Sequence, residues 1–288
     1  MCKPSERTEI HARKATSLRL VRFCGCSTWN QNGGVTWWDA ALLAAAGVLG
    51  GLTGSIAGLA SVATYPALLA VGLPPVTANV TNTVALVFNG IGSVLGSRPE
   101  LAGQGAWLKR IAPAAAVGGA VGAALLLSTP AGGFERVVPI LLGLSSAAIL
   151  LPSTSRQEAR VAHHQRHTAR VLLEATAIFV ICIYGGYFGA AAGVLLLAML
   201  LRTGGATLAH ANASKNVILG VANGVAALIF AFFAPVNWPA VVAVGAGCLI
   251  GSRLGPVVVR HAPAGPIRVV IGVAGLALAV KLGLDAYG

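Results

Sequence analysis

The sequence predicts an all-α, polytopic membrane protein: about eight hydrophobic segments in two homologous four-segment repeats, with glycine-broken helices opening each half. Three observations predict it. The 288 residues are 56% hydrophobic and 10% charged, where an ordinary soluble domain carries about 25% charged residues. Apolar runs long enough to cross a bilayer as a helix, about 20 residues each, follow one another from Trp37 to the C-terminus. The second half also repeats the first. A soluble fold of this length needs a more polar surface than any stretch beyond Trp37 supplies.

Residues 1–36 form a basic N-terminal tail with six of the chain's twenty Lys and Arg and no long apolar core, unlike a signal peptide. Its stretch SLRLVRF reads as a short surface-lying amphipathic segment, as part of a disordered tail, or as sequence upstream of the true start. The apolar runs then fall at 37–62, 78–97, 106–128, 134–152, 170–200, 213–234, 238–259 and 266–286. Tryptophans open several of them (Trp37, Trp38, Trp107 and Trp238), as expected of side chains that anchor at the headgroup level. The first repeat spans 37–152 and the second 170–288, joined by a polar basic loop at 153–169.

The net charge of +12 sits in short clusters between apolar runs, a pattern of membrane orientation and not of nucleic-acid binding. His163, His164 and His167 in the linker lack an acidic or cysteine partner at helical spacing, so no metal is expected there. The five cysteines form no convincing framework, and Cys24-Gly25-Cys26 lacks the two-residue spacer of common metal and redox motifs. No cofactor is expected. No nucleophile, base and orienting acid assemble in the sequence, so an enzyme is not expected either.

The repeat is the most informative feature. GGLTGSIAG at 50–58 matches GGYFGAAAG at 185–193, placing Gly50, Gly51, Gly54 and Gly58 over Gly185, Gly186, Gly189 and Gly193. ANVTNT at 78–83 lies over ANASKN at 211–216, Asn89-Gly90 over Asn223-Gly224, and Trp107 over Trp238. Gly118 and Gly122 lie over Gly251 and Gly255. Glycine costs about 1 kcal/mol against alanine inside a helix, so the paired runs weaken the helix at matching places. Glycine-interrupted segments at corresponding positions point to a transporter's binding site; close packing through small residues is the competing reading, and it suits Gly118/Gly122 and Gly251/Gly255. If the first and fifth runs cross fully, the halves are parallel; if they fold back at their glycines, the halves are inverted.

After each glycine run comes a polar cluster at the start of the next helix: Thr77, Asn79, Thr81, Asn82 and Thr83, then His210, Asn212, Ser214, Lys215 and Asn216. Such residues can cap a helix. Lys215 is the exception, because a cation at a helix start opposes the macrodipole and an ionisable group at membrane depth is a functional candidate. Asn79, Thr81, Asn82, Asn212, Ser214, Lys215 and Asn216 are therefore the expected substrate-binding residues, a donor-rich set suited to a small anion. The rival reading has Lys215 snorkel to the surface. A proton or sodium is the expected coupling ion, with His210 and Glu174 as candidate groups, although Glu174 can simply pair with Arg170 one turn away.

The glycine run GGLTGSIAG, the double proline of LPPVTANVTNT, the Trp107 start and the recurrence GGYFGAAAG, ANASKN, NG and NW resemble the TauE/SafE family of sulfite exporters over about residues 37–286. SRPELAGQGAW departs from the family pattern in carrying Arg98 alone where a denser basic group is usual. The resemblance implies a multi-pass inner-membrane permease for small anions such as sulfite, sulfonates or related organosulfur or organic acids, with the bilayer and the anion as its partners. A passive anion channel, or a membrane scaffold without transport, is the alternative.

Overall fold

The computed structural model describes residues 36–130, 168–190, 192–203 and 207–261, with scattered positions between 132 and 143 and between 269 and 284. The basic tail, the linker with His163, His164 and His167, and most of the fourth and eighth apolar runs lie outside the described residues. Among the described residues the chain is helical and contains no strand. The helices are α1 (Trp37–Ala57), α2 (Ala60–Ala70), α3 (Pro75–Gly96), α4 (Arg98–Leu101), α5 (Gly105–Ser128), α6 (Thr168–Tyr187), α7 (Ala192–Thr203), α8 (Leu208–Phe233) and α9 (Trp238–His261). Five of them are long and apolar enough to cross a membrane: α1, α3, α5, α8 and α9.

Local sequence explains where these helices begin. Thr36 caps α1 through a reciprocal box with Asp39, and Pro75 opens α3 at the first helical position, where its missing N–H costs nothing. Thr207 caps α8 by accepting from the His210 amide. These starts lie three to five residues ahead of the expected 78 and 213. The polar clusters consequently sit inside their helices, with all but Thr77 and His210 beyond the first turn, and the capping role expected of them falls to other residues.

The glycine runs break the chain once each, at non-matching glycines. Gly58 ends α1 with φ 78°, and Gly189 separates α6 from α7 with φ 74°. Only glycine takes this left-handed backbone without strain. The helix runs on through Gly50, Gly51 and Gly54 in the first repeat and through Gly185 and Gly186 in the second, while Gly193 lies in α7. Those glycines serve close approach instead. A methyl group at Gly50 would lie 2.5 Å from Thr64 Cγ2 and one at Gly54 2.6 Å from the Ala60 methyl, which places α2 back along α1 as a hairpin. α2 has 11 residues, about 16 Å of helix, so it reaches only part of the way across a hydrocarbon core of about 30 Å.

Long helices pack reciprocally. α1 lies along α9 and α6 along α5; α3 packs on α9 and α8 on α5; α3 and α8 meet each other. The first two contacts are made through glycines. A methyl at Gly251 would lie 2.8 Å from the Val48 carbonyl carbon, one at Gly51 2.8 Å from Cys248 Cα, and one at Gly122 2.8 Å from the Tyr187 amide nitrogen. Backbone approach of this kind maximises dispersion between helices that gain nothing from excluding water in lipid. Gly251→Ala is therefore expected to destabilise the fold by about 1–3 kcal/mol through overpacking. Gly224→Ala in α8, where nothing lies within 4 Å, is expected to stabilise by up to about 1 kcal/mol through helix propensity alone. Thermal unfolding in detergent reads both.

Large apolar side chains face outward along the outer helices, among them Leu172, Phe232, Phe233 and Trp238, as lipid contact requires. Inside, Tyr65 of α2 meets Phe188 edge-on with ring centroids 5.4 Å apart, and Phe134 approaches Phe188 at 6.0 Å. Phe188 is 2% exposed and immediately precedes Gly189, so this aromatic contact anchors the second break.

Candidate functional site

The two breaks come together. Gly58 and Gly193 are in direct backbone apposition, so the end of α1 and the start of α7 share one place in the fold. Beside them lies a cavity of about 30 Å³, lined by Gly54, Gly58 and Gly189 from the breaks and by Ser61, Asn89, Ser93, Asn216 and Asn223. That is space for a water or two between the two breaks, the start of α2 and the crossing of α3 with α8. A methyl group at Gly90 of α3 would lie 3.1 Å from Gly220 Cα of α8, so these two helices almost touch backbone to backbone at the cavity wall.

The polar cluster of α8 reaches across to the broken end of α1. Asn212 Nδ2 donates to the Ser55 carbonyl at 2.8 Å, Asn216 Nδ2 to the same oxygen at 3.4 Å, and Lys215 Nζ to the carbonyls of Gly54 at 3.1 Å and Ser55 at 3.5 Å. The last carbonyls of a helix have no partner within it and carry the negative end of its dipole. Lys215, in the third turn of its own helix, thus complements the dipole of α1; the expected conflict with the start of α8 does not arise. It is 0% exposed and does not snorkel.

In the first repeat Asn79, the counterpart of Asn212, does the same for α6: its Nδ2 donates to the Tyr187 carbonyl at 2.8 Å. Each half of the chain therefore caps the broken helix of the other. Thr81 and Ser214 form a second matched pair. Thr81 Oγ1 accepts from the Asn237 amide at 3.0 Å, just before α9, and Ser214 Oγ donates to Gln104 Oε1, just before α5. The third pair is unequal. Asn82 stays within its own half, donating to Ser61 Oγ at 3.1 Å and meeting Thr64 Oγ1 at 2.5 Å, where Lys215 crosses to the other half.

Of the expected binding residues, Asn216 alone lines the cavity; Asn79, Thr81, Asn82, Asn212, Ser214 and Lys215 stand behind its wall and hold the helices that form it. Ser61, Asn89, Ser93 and Asn223 line the cavity and were absent from the expected set. The matched Asn89-Gly90 and Asn223-Gly224 pairs were the available signal for two of them. Asn79 Oδ1, Asn89 Oδ1 and Asn212 Oδ1 are buried acceptors without a hydrogen-bond partner among the described residues. His210 is exposed and bonds Thr207 Oγ1 through Nδ1 at 2.7 Å, away from the cavity lining. Glu174 is partly buried in α6, and the Arg170 side chain with which it was expected to pair lies outside the described residues.

A family model described as Sulfite exporter TauE/SafE matches residues 31–282. The chain belongs to the TauE/SafE family. This TauE/SafE chain is also similar to the probable membrane transporter protein ORF9 of Sinorhizobium sp, 28% identical over 248 residues that cover 85% of this chain and 92% of that protein. It is 27% identical over 242 residues to the probable membrane transporter protein YfcA of Escherichia coli K12, covering 84% of this chain and 88% of that one. No solved structure matches it. As a member of a membrane transporter family with five span-length helices among its described residues, it is a multi-pass membrane protein.

Proposed function

We propose that the protein is a secondary permease of the inner cell membrane for small anions such as sulfite, sulfonates or related organosulfur or organic acids. Its substrate site is centred on the cavity between the two helix breaks, which must widen beyond about 30 Å³ to admit such an anion. The observation that carries this reading is Lys215: of the buried polar side chains among the described residues it is the charged one, it is wholly enclosed, and the partners of its ammonium are neutral carbonyls. Such a charge makes the adjoining cavity a place of positive potential, and the starts of the half-length helices α2 and α7 add to it. Asn216, Ser61 and Asn89 supply neutral donors at the wall, and Asn79, Thr81, Asn82, Asn212 and Ser214 keep those groups in place.

The two four-segment repeats, 37–152 and 170–288, are read as inverted halves. The fold-back of α2 along α1 supports this, since a first region that turns back at its glycine leaves an odd number of crossings per half. Alternating access then follows from one half rocking against the other about the breaks. Thermal unfolding of the purified protein in detergent tests ligand class directly. Sulfite and methanesulfonate at about a hundred times their dissociation constants stabilise a specific binder by about 2.7 kcal/mol; a choline or sodium control salt at equal ionic strength should not. Equal shifts with every salt would sink the anion site. Uphill accumulation separates this carrier from a passive anion channel.

A further inference from the structure

We propose that Lys215 is the proton-coupling group of the carrier, so that one proton and one singly charged anion cross the membrane together. The proposal rests on the anion-carrier reading above and adds to it the coupling ion and the residue that carries it.

An ammonium enclosed without a countercharge is costly. A bound anion supplies the countercharge, so proton and anion stabilise each other, and by linkage each raises the affinity for the other. A proton also has a short way in and out. Gly54, whose carbonyl accepts from Lys215 Nζ at 3.1 Å, lines the cavity, and so does Asn216, the next residue along α8. The repeat shows that the charge is not there for packing. Asn82 occupies the matched position in α3, equally enclosed at 1% exposure, and neutral bonds to Ser61 and Thr64 suffice to hold it. Lys215 also ties α8 of one half to the broken end of α1 of the other, so gain or loss of its proton acts on the contact across which the halves would move.

On loading, the lone pair of the Lys215 amine takes a proton from hydronium that reaches the cavity, leaving water and giving the ammonium, and the anion enters opposite it. On release the anion leaves, an N–H bond breaks with its electron pair staying on nitrogen, and the proton returns to water. For a monoanion no net charge crosses.

Other titratable groups on the helices packed against α8 are placed less well. α3 carries none. Asp39 of α1 is held by Thr36, about 22 Å along the helix from Gly54. Arg98, Lys109, Arg110 and Arg253 on α4, α5 and α9 are exposed. Cys182 of α6 and Cys248 of α9 are buried against the glycines of α5 and α1. Tyr184 of α6 donates to the Ala190 carbonyl and Tyr187 meets Thr129; the side chains of Arg170, Arg202, Arg260 and His261 lie outside the described residues. Glu100 of α4, Glu174 of α6 and His210 of α8 itself remain as the rivals.

The test uses the full chain in proteoliposomes with a trapped pH-sensitive dye and labelled methanesulfonate, whose charge does not change with pH. An inward proton gradient of one pH unit is expected to drive about tenfold accumulation at one proton per anion, and the dye should report that proton. Lys215→Arg keeps the charge but cannot release it, so it should exchange methanesulfonate across the membrane yet accumulate none against a gradient. Should arginine not fit, Lys215→Asn, the residue type of the first repeat, should give the same loss of accumulation with weaker exchange. Wild-type exchange without proton movement would overturn the proposal and leave the carrier reading standing. So would coupling that survives in Lys215→Arg and Lys215→Asn, or that is lost instead in Glu100→Gln, Glu174→Gln or His210→Gln. Absence of methanesulfonate exchange in the wild type would overturn both.

Discussion

Gly58→Val is expected to leave little folded protein. The backbone there has φ 78°, and the new Cβ would collide with the backbone of Gly193 in the other half. A β-branched residue in the left-handed region costs about 1–2 kcal/mol, and overpacking against backbone, which cannot rotate away, adds about 1–3 kcal/mol or more. The sum is a large part of a stability of about 5–15 kcal/mol. Gly72 provides the internal control, since it has φ 89° but nothing within 4 Å of its Cβ position. Gly72→Ala should therefore show the backbone cost alone, about 1 kcal/mol, and the difference between the two variants measures the apposition of the breaks. Size-exclusion chromatography and thermal unfolding in detergent read the comparison.

Lys215→Met separates stability from binding. The Ser55 carbonyl keeps Asn212 and Asn216 as donors and the Gly54 carbonyl keeps the Gly58 amide at 2.8 Å, so no helix-end oxygen is orphaned. Replacing an enclosed charge by an apolar side chain of similar volume is commonly neutral or stabilising. Melting temperature should thus stay level or rise. Anion affinity should fall by about 10- to 100-fold, the loss of a charge-assisted interaction of about 1.5–3 kcal/mol. A variant that loses stability and binding together would instead make Lys215 a fastener of α1 and no part of the anion's environment.

Much of this architecture is legible in the sequence because its causes are local or periodic. Apolar runs of span length mark the long helices, the tryptophans mark their ends, and the duplicated glycine runs mark the two breaks. What the sequence does not show is which glycine of each run turns the chain. Gly54 and Gly189 are matched in the repeat, yet α1 continues through Gly54 to Gly58 while the second run breaks at Gly189; the choice is made by packing against Gly193 and around Phe188, partners distant in sequence. The helix starts differ from the expected positions for a simpler reason. Pro75 and Thr207 are start signals in their own right, and the polar residues that follow them resemble caps about a turn further on.

The candidate site is legible in the sequence only in part: of the expected residues Asn216 lines the cavity, and the others stand behind its wall. Asn79, Asn212 and Lys215 look like ligand donors when read along their own helices, but each spends its hydrogen bonds on carbonyls of the opposite half. Nothing in a single sequence states that the halves interlock so that the first helix of one lies on the last described long helix of the other. The lining residues Ser61 and Ser93 carry no motif and emerge from helix crossing alone.

Countertransport tests the central claim, an anion site between the breaks served by Lys215, most directly. Proteoliposomes are loaded with unlabelled sulfite and diluted into labelled sulfite at a lower concentration. A transient accumulation of label inside is expected, present in the wild type and reduced at least about tenfold in Lys215→Met. Label that only equilibrates, at the same rate in both proteins, would contradict it.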